Sequence, residues 1–365
     1  MLSLKRMLLV MKKLKTRVED KATLELIWQA HHRASLNKAH RSEILKFNLN
    51  EQANLVSILD TIRAGTYRPS SYRSFWVHDP KLRLIKSLPY PDRIVHQWAV
   101  EEFYKPYYFP RFIKDSYACI DGRGAHAAVD KAQEMLRALV KSTNGQGYIL
   151  KMDISKFFNN IDQQILFNII SRVIADPSLN KLTASFIFGQ DSNMGIPIGN
   201  YTSQIFANIY LNELDKFIKE ELRVKRYIRY MDDFVLFVPG QATAKVLYGQ
   251  IDDFVNSELK LRLNPKSRYY PCRHGLDFAG FRIFPNYRLL RRRSKKKLKM
   301  IIRDYRANVD DVERFCRRVN SWYGHAKHAN SYRYITSHLK DYQDILPVVF
   351  PSSSESSPKL PIQSY

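Results

Sequence analysis

Cysteine is scarce in this chain: Cys119, Cys272 and Cys316 are the only three among 365 residues. None forms a CxxC pair, so neither a zinc site nor a disulfide framework is expected, and a reducing cytoplasm fits. Long apolar runs are missing too. No stretch reaches the roughly 18 consecutive apolar residues that a membrane-spanning helix needs. From Met1 to Arg17, basic residues are scattered through Leu and Met; Lys12, Lys13 and Lys15 interrupt any apolar core, and no small-residue cleavage site follows. That pattern argues against a signal peptide. No internal repeat is found. Acid is short as well: 35 Asp and Glu face 59 Lys and Arg, a formal net charge of +24.

Such an excess of positive charge excludes most metabolic enzymes of small neutral substrates and points to a long polyanion as partner. A hydrophobic content of 45% excludes global disorder. The length suits two or three domains, or one large enzyme with subdomains. The 22 Tyr and 20 Phe provide packing surface and, in a nucleic-acid channel, rings on which bases stack. For any single ring, core packing is the commoner use.

The apolar spacing predicts a helix from Glu19 to Leu36, another through Leu55, Ile58, Leu59 and Ile62, and strands at Tyr72 to Val77 and Leu82 to Leu88 joined by a turn at Asp79, Pro80 and Lys81. A helix through Ala127 to Leu139 follows, and after the polar loop from Ser142 to Gly147 comes a strand, Tyr148 to Ile154, then a helix from Asp162 to Val173. Thr202 to Leu222 reads as a helix, Arg226 to Val238 as two strands joined at Met231 and Asp232, and Val246 to Leu259 as a helix. Strands at Ser267 to Tyr270 and Leu276 to Phe284 complete a β-rich part that is expected to stop at Pro285. Residues 290 to 345 are helical in pattern and very basic, opening with Arg291, Arg292, Arg293, Lys295, Lys296 and Lys297. Pro351 to Tyr365 is rich in Ser and Pro and reads as a disordered tail.

Chemistry concentrates in the aspartates. Phosphoryl transfer from a nucleoside triphosphate uses two Mg2+ ions about 4 Å apart, and Mg2+ prefers carboxylate oxygens. A strand ending in Asp153 beside a hairpin tip bearing Asp232 and Asp233 brings three carboxylates to one sheet edge. Asp252-Asp253 and Asp310-Asp311 read as ordinary turn residues. Asp232-Asp233 differs, because Tyr227, Ile228 and Tyr230 precede it and Phe234, Val235, Leu236 and Phe237 follow. Two adjacent charges in so apolar a hairpin call for cations.

At this point the residues resemble a known family. Tyr230-Met231-Asp232-Asp233 is similar to the YxDD box of reverse transcriptases, and Lys151 to Phe158 resembles their first palm motif. Lys81-Leu82-Arg83 and Pro91 to His96 resemble the fingers motif, and Gly122 to His126 the next one. Leu263 to Ser267 and Phe278 to Phe281 resemble the last palm motifs. The likeness spans about residues 45 to 340. It implies an α+β right-hand polymerase fold: an N-terminal helical extension over 1–44, fingers over 45–147 with early palm elements, and a palm of antiparallel strands backed by helices over 148–285. A helical thumb follows over 286–345, with a tail over 346–365.

The resemblance also assigns roles. Asp153, Asp232 and Asp233, with the carbonyl of Ile154, hold two Mg2+ ions, for which Mn2+ can substitute. Arg83 and Lys81 close on the triphosphate, and Lys266 sits near the leaving pyrophosphate. Phe158, five residues after Asp153, is the steric gate that selects deoxynucleotides. Ile198-Gly199-Asn200-Tyr201-Thr202-Ser203-Gln204 departs from the usual QGxxxSP; Ile198 and Gln204 match the IGxxxSQ form of diversity-generating retroelement reverse transcriptases, which make frequent errors opposite template adenine. Trp322 to Asn330 resembles the thumb of that group, where His325 and His328 read as packing residues. Implied partners are template RNA, the RNA/DNA heteroduplex, deoxynucleoside triphosphates and a small basic oligomeric accessory protein, in a bacterial, archaeal or phage-encoded cytoplasmic setting. The competing readings are a retron, group II intron or phage-defence reverse transcriptase of ordinary fidelity, and an RNA-binding protein that keeps the scaffold without catalysis.

Overall fold

The computed structural model describes residues 12–78, 82–188 and 193–350. The expected turn at Asp79 to Lys81, with Lys81 itself, and the tail from Pro351 lie outside the described residues. The helix expected from Glu19 to Leu36 is two helices, Val18–Lys21 and Leu24–Ser35. Thr23 separates them, because its hydroxyl accepts the Leu26 N–H at 3.3 Å and caps the second. This N-terminal segment is woven into the main core. Leu14 forms a parallel bridge with Ile174, and the buried Ile27 and Ala30 share one apolar cluster with Ile94, Trp98 and Phe206.

Three sheets are present among the described residues. β1 (Arg73–His78) and β2 (Leu82–Ser87) form a two-stranded antiparallel ribbon whose first strand is exposed throughout. β3 (Tyr148–Asp153), β4 (Tyr227–Tyr230), β5 (Asp233–Val238) and β6 (Arg268–Pro271) form the central antiparallel sheet in the order β4-β5-β3-β6. β7 (Leu276–Phe278), β8 (Phe281–Ile283) and β9 (Arg288–Leu290) form the third sheet, also antiparallel. The strand expected from Leu276 to Phe284 is therefore a hairpin. Ala279 and Gly280, with φ of 43° and 95°, supply the left-handed turn that reverses it. Nor does β structure stop at Pro285: Phe284 N–H donates to the Tyr287 carbonyl at 2.8 Å, so the proline opens a turn into β9.

The central sheet separates two cores, as the two-residue period of its strands requires. Leu150, Met152, Phe234, Leu236 and Val238 face the larger core with the Tyr201–Lys216 helix. Ile149, Val235 and Phe237 face a second core shared with the third sheet, the Ala125–Ser142 helix, and the C-terminal helices Arg292–Arg306 and Val312–Ala326. That C-terminal block packs as far as Leu346 and Val349, which are buried. His325 and His328 do pack, but against a third imidazole: the His126 ring stacks on His328 at 3.7 Å and lies 6.1 Å from His325.

The fold buries one histidine completely. His96, in the Tyr90–Ala99 helix, meets the Thr202 hydroxyl at 2.7 Å and the Phe186 ring at 4.4 Å. Burial pulls its pKa from 6.5 down to about 3. The unfolded chain takes up this proton first, so the stability His96 contributes is complete above pH 6.5 and drains as the pH falls toward 3. In urea unfolding followed from pH 7 to 5, we expect wild type to lose about 1.4 kcal/mol per pH unit from this group once below its unfolded pKa. His96→Asn should show a shallower slope; equal slopes would remove His96 as the cause.

Candidate active site

The β4–β5 hairpin turns in two residues. Tyr230 pairs with Asp233, leaving Met231 and Asp232 at the tip, and Met231 adopts φ 55°, a left-handed conformation unusual for a bulky side chain. Such strain persists only where the surroundings enforce it. They do so through Arg229, which is fully buried and donates to the Met231 carbonyl at 3.1 Å. The same guanidinium makes a two-pronged pair with Asp215 at 2.8 and 2.6 Å and reaches Asn208 at 2.9 Å, while Tyr227 donates to Asp215 at 2.6 Å. A buried polar network thus anchors the turn to the Tyr201–Lys216 helix.

β3 lies beside β5 with Asp153 directly opposite Asp233, and the Ile154 N–H donates to the Asp232 carbonyl at 3.3 Å. All three expected aspartates therefore meet at one end of the central sheet. Their surroundings differ. Asp153 is clamped from a loop more than a hundred residues away: Asn264 Nδ2 donates to its Oδ2 at 2.8 Å, Asn264 N–H to its carbonyl at 2.7 Å, and its own N–H donates to Ser267 Oγ at 3.1 Å. Both oxygens of Asp233 accept from Lys151 Nζ, at 2.5 and 2.7 Å. Asp232 has no cation in ion-pair range among the described residues.

Burial, followed by the charge of Asp153, drives the Asp232 carboxyl up to about 6, and Arg83 pulls the other way. Burial raises Asp233 too, opposed by Lys151. A carboxylate raised by burial and by a neighbouring carboxylate is one whose charged form a nearby cation would stabilise. Among the described residues no three His, Cys, Asp or Glu side chains form a ready-made metal cage. The donor set nonetheless fits Mg2+, which binds through one or two carboxylates and completes its shell with water and substrate phosphates. Asp153 and Asp232 are the pair that could hold it, since Lys151 already pairs with Asp233.

The other expected residues fall on two sides of this edge. Arg83 is exposed on β2, close enough for its charge to act on Asp232. Ile198 joins the same ribbon: its carbonyl accepts the Lys86 N–H at 3.0 Å. Gly199 makes that approach possible, since with φ 133° an added Cβ would lie 2.7 Å from the Lys86 carbonyl oxygen. Phe158 is half-buried beside Phe157, with ring centroids 5.5 Å apart. Ile154 is buried and Lys266 is exposed. Gln204 sits exposed on the first turn of the Tyr201–Lys216 helix, with no hydrogen bond that ties it to the aspartates.

Sequence reasoning missed Lys151, Asn264, Ser267 and the Arg229 network, although the first three stand inside motifs it quoted. One signal was available for Arg229. Asn208, Asn212 and Asp215 recur at helical spacing among the apolar residues Ile205, Phe206, Ile209, Leu211 and Leu214, and Arg229 stands between the apolar strand residues Ile228 and Tyr230. Polar groups placed so demand one another.

The profile of the family described as "Reverse transcriptase (RNA-dependent DNA polymerase)" matches residues 78–283, more than half the chain and inclusive of every element just described around the aspartates. The chain belongs to that family. This reverse transcriptase is 27% identical over 278 residues to Protein YkfC of Escherichia coli, covering 65% of this chain and 71% of that protein. It is 26% identical over 178 residues to the group II intron-encoded protein LtrA of Lactococcus lactis, covering 46% of this chain and 28% of the relative. Among solved structures, telomerase from Candida albicans with a telomeric RNA fragment matches with a TM-score of 0.46 and 10% identity over 81% of this chain and 62% of that one. Apo telomerase from Candida tropicalis matches with 0.48 and 13% over 77% and 62%. No helix among the described residues is long and apolar enough to cross a membrane.

Proposed function

We propose that this reverse transcriptase copies a template RNA into cDNA and does so with errors concentrated at template adenines, in the manner of a diversity-generating retroelement. In this reading β1–β2 belong to the fingers, the central sheet is the palm and the basic C-terminal helices are the thumb. Asp153 and Asp232 hold the cations, with Asp233 and the Ile154 carbonyl completing the set. Two Mg2+ ions, when bound, activate the primer hydroxyl and steady the triphosphate for in-line displacement. Arg83 offers charge to the triphosphate from the ribbon, Lys81 beside it does the same, and Lys266 neutralises the departing pyrophosphate. Phe158 excludes a 2′-hydroxyl.

The observation that carries the low-fidelity reading is Ile198, an alkyl side chain in the segment hydrogen-bonded to the ribbon that bears Arg83. An amide there would offer the nucleotide a hydrogen bond, and one such bond is worth about 1 kcal/mol, or about fivefold in discrimination. Extension of a primed RNA template containing all four bases, with the products sequenced, tests this. Wild type should misincorporate mainly at template adenines, and Ile198→Gln should lower the error rate about fivefold. The identity to LtrA favours a second reading, a polymerase of ordinary fidelity. Accurate copying of adenine by wild type, even with a small basic accessory protein present, would establish that one instead.

A further inference from the structure

Lys151 is the one cation that the central sheet itself places against the aspartates. It stands two residues before Asp153 on β3, so the strand period puts both side chains on one face, and the register sets it opposite Val235 and diagonal to Asp233. Its ammonium lies 2.5 and 2.7 Å from the two oxygens of Asp233. Its position is further supported by the Phe278 ring, 5.9 Å away. A carboxylate that gives both oxygens to one ammonium has its charge offset there and keeps only the remaining lone pairs for an ion on its other side. Asp153 is held differently, with one oxygen given to the neutral amide of Asn264, which leaves its charge uncancelled.

Building on the cation-binding reading above, we propose that Lys151 is a positioning residue that holds Asp233 away from the metal ions in the resting enzyme, which presents two uncompensated carboxylates, and that Asp233 completes the set only once Lys151 releases it.

The test is Mn2+ binding to the full chain without template or nucleotide, read as loss of the free-ion signal in electron paramagnetic resonance. Lys151→Met should bind Mn2+ about tenfold more tightly than wild type, or take up a second ion, because one fixed positive charge beside the centre is gone and Asp233 is released. Lys151→Arg should stay near wild type. Lys151→Met with Asp233→Asn should return to the wild-type level. Lys151→Gln carries the same expectation if the Met variant does not fold, as judged by its circular dichroism melt. Unchanged or weaker binding in folded Lys151→Met overturns the proposal, and so does a gain that survives the loss of Asp233, since Asp233 then contributes nothing to it. If wild type takes up no Mn2+ even with heteroduplex and nucleotide present, the cation-binding reading itself fails, an outcome distinct from equal binding by all variants.

Discussion

Asp232→Asn should fold as well as wild type and incorporate nucleotides more slowly by on the order of 10^3-fold. The substitution keeps the size of the side chain and removes the charge that the proposed cations require. It also removes a carboxyl that burial and Asp153 already push up to about 6, so the thermal midpoint without metal should hold or rise. Stability and activity thus move apart, which a merely structural aspartate would not allow. Primer extension under single-turnover conditions, paired with a thermal melt, measures both. Incorporation within tenfold of wild type would remove Asp232 from the proposed centre.

Arg229→Met should destabilise the fold by roughly 3–5 kcal/mol. Arg229 and Asp215 are both fully buried, and removing the guanidinium strands the carboxylate in the core with only Tyr227 donating to it among the contacts described above. The Met231 carbonyl loses its donor in the same step, so the turn bearing Asp232 loosens. Replacing both partners, Arg229→Met with Asp215→Leu, should recover most of the stability, because two apolar side chains leave no buried charge unpaired. Activity should not return with it, since the left-handed turn at Met231 still lacks its tether. Urea unfolding of the single and double variants decides the first point and primer extension the second. A loss under ~1 kcal/mol in the single variant would mean the pair is not the anchor.

Much of the site was legible because it is written locally. The two-residue turn between β4 and β5 follows from two apolar runs meeting at Met231-Asp232, and Asp153 follows from a strand that ends on it. Helix boundaries were less legible where one capping residue divides a continuous apolar pattern, as Thr23 does. The strand from Leu276 to Phe284 misled for a related reason. Its alternation continues across Ala279-Gly280, and only the backbone there shows that the chain reverses. Gln204 was read with Ile198 as one motif, yet the helix that begins at Tyr201 turns it to solvent while Ile198 bonds to the ribbon.

The sequence by itself determined the class of chemistry: its charge, its paired aspartates in an apolar hairpin and its ordered motifs all point to a polymerase of nucleic acid, and the family profile agrees. Only the tertiary structure decided how the three aspartates differ. Asn264 holds Asp153 across 111 residues, Lys151 holds Asp233 across 82, and Arg229 reaches past its own turn to Asp215. The physical reason is one of range. Local patterns fix which face of a strand or helix is apolar, but which polar side chain arrives beside a given carboxylate depends on how those faces pack, and no short window of sequence contains both partners.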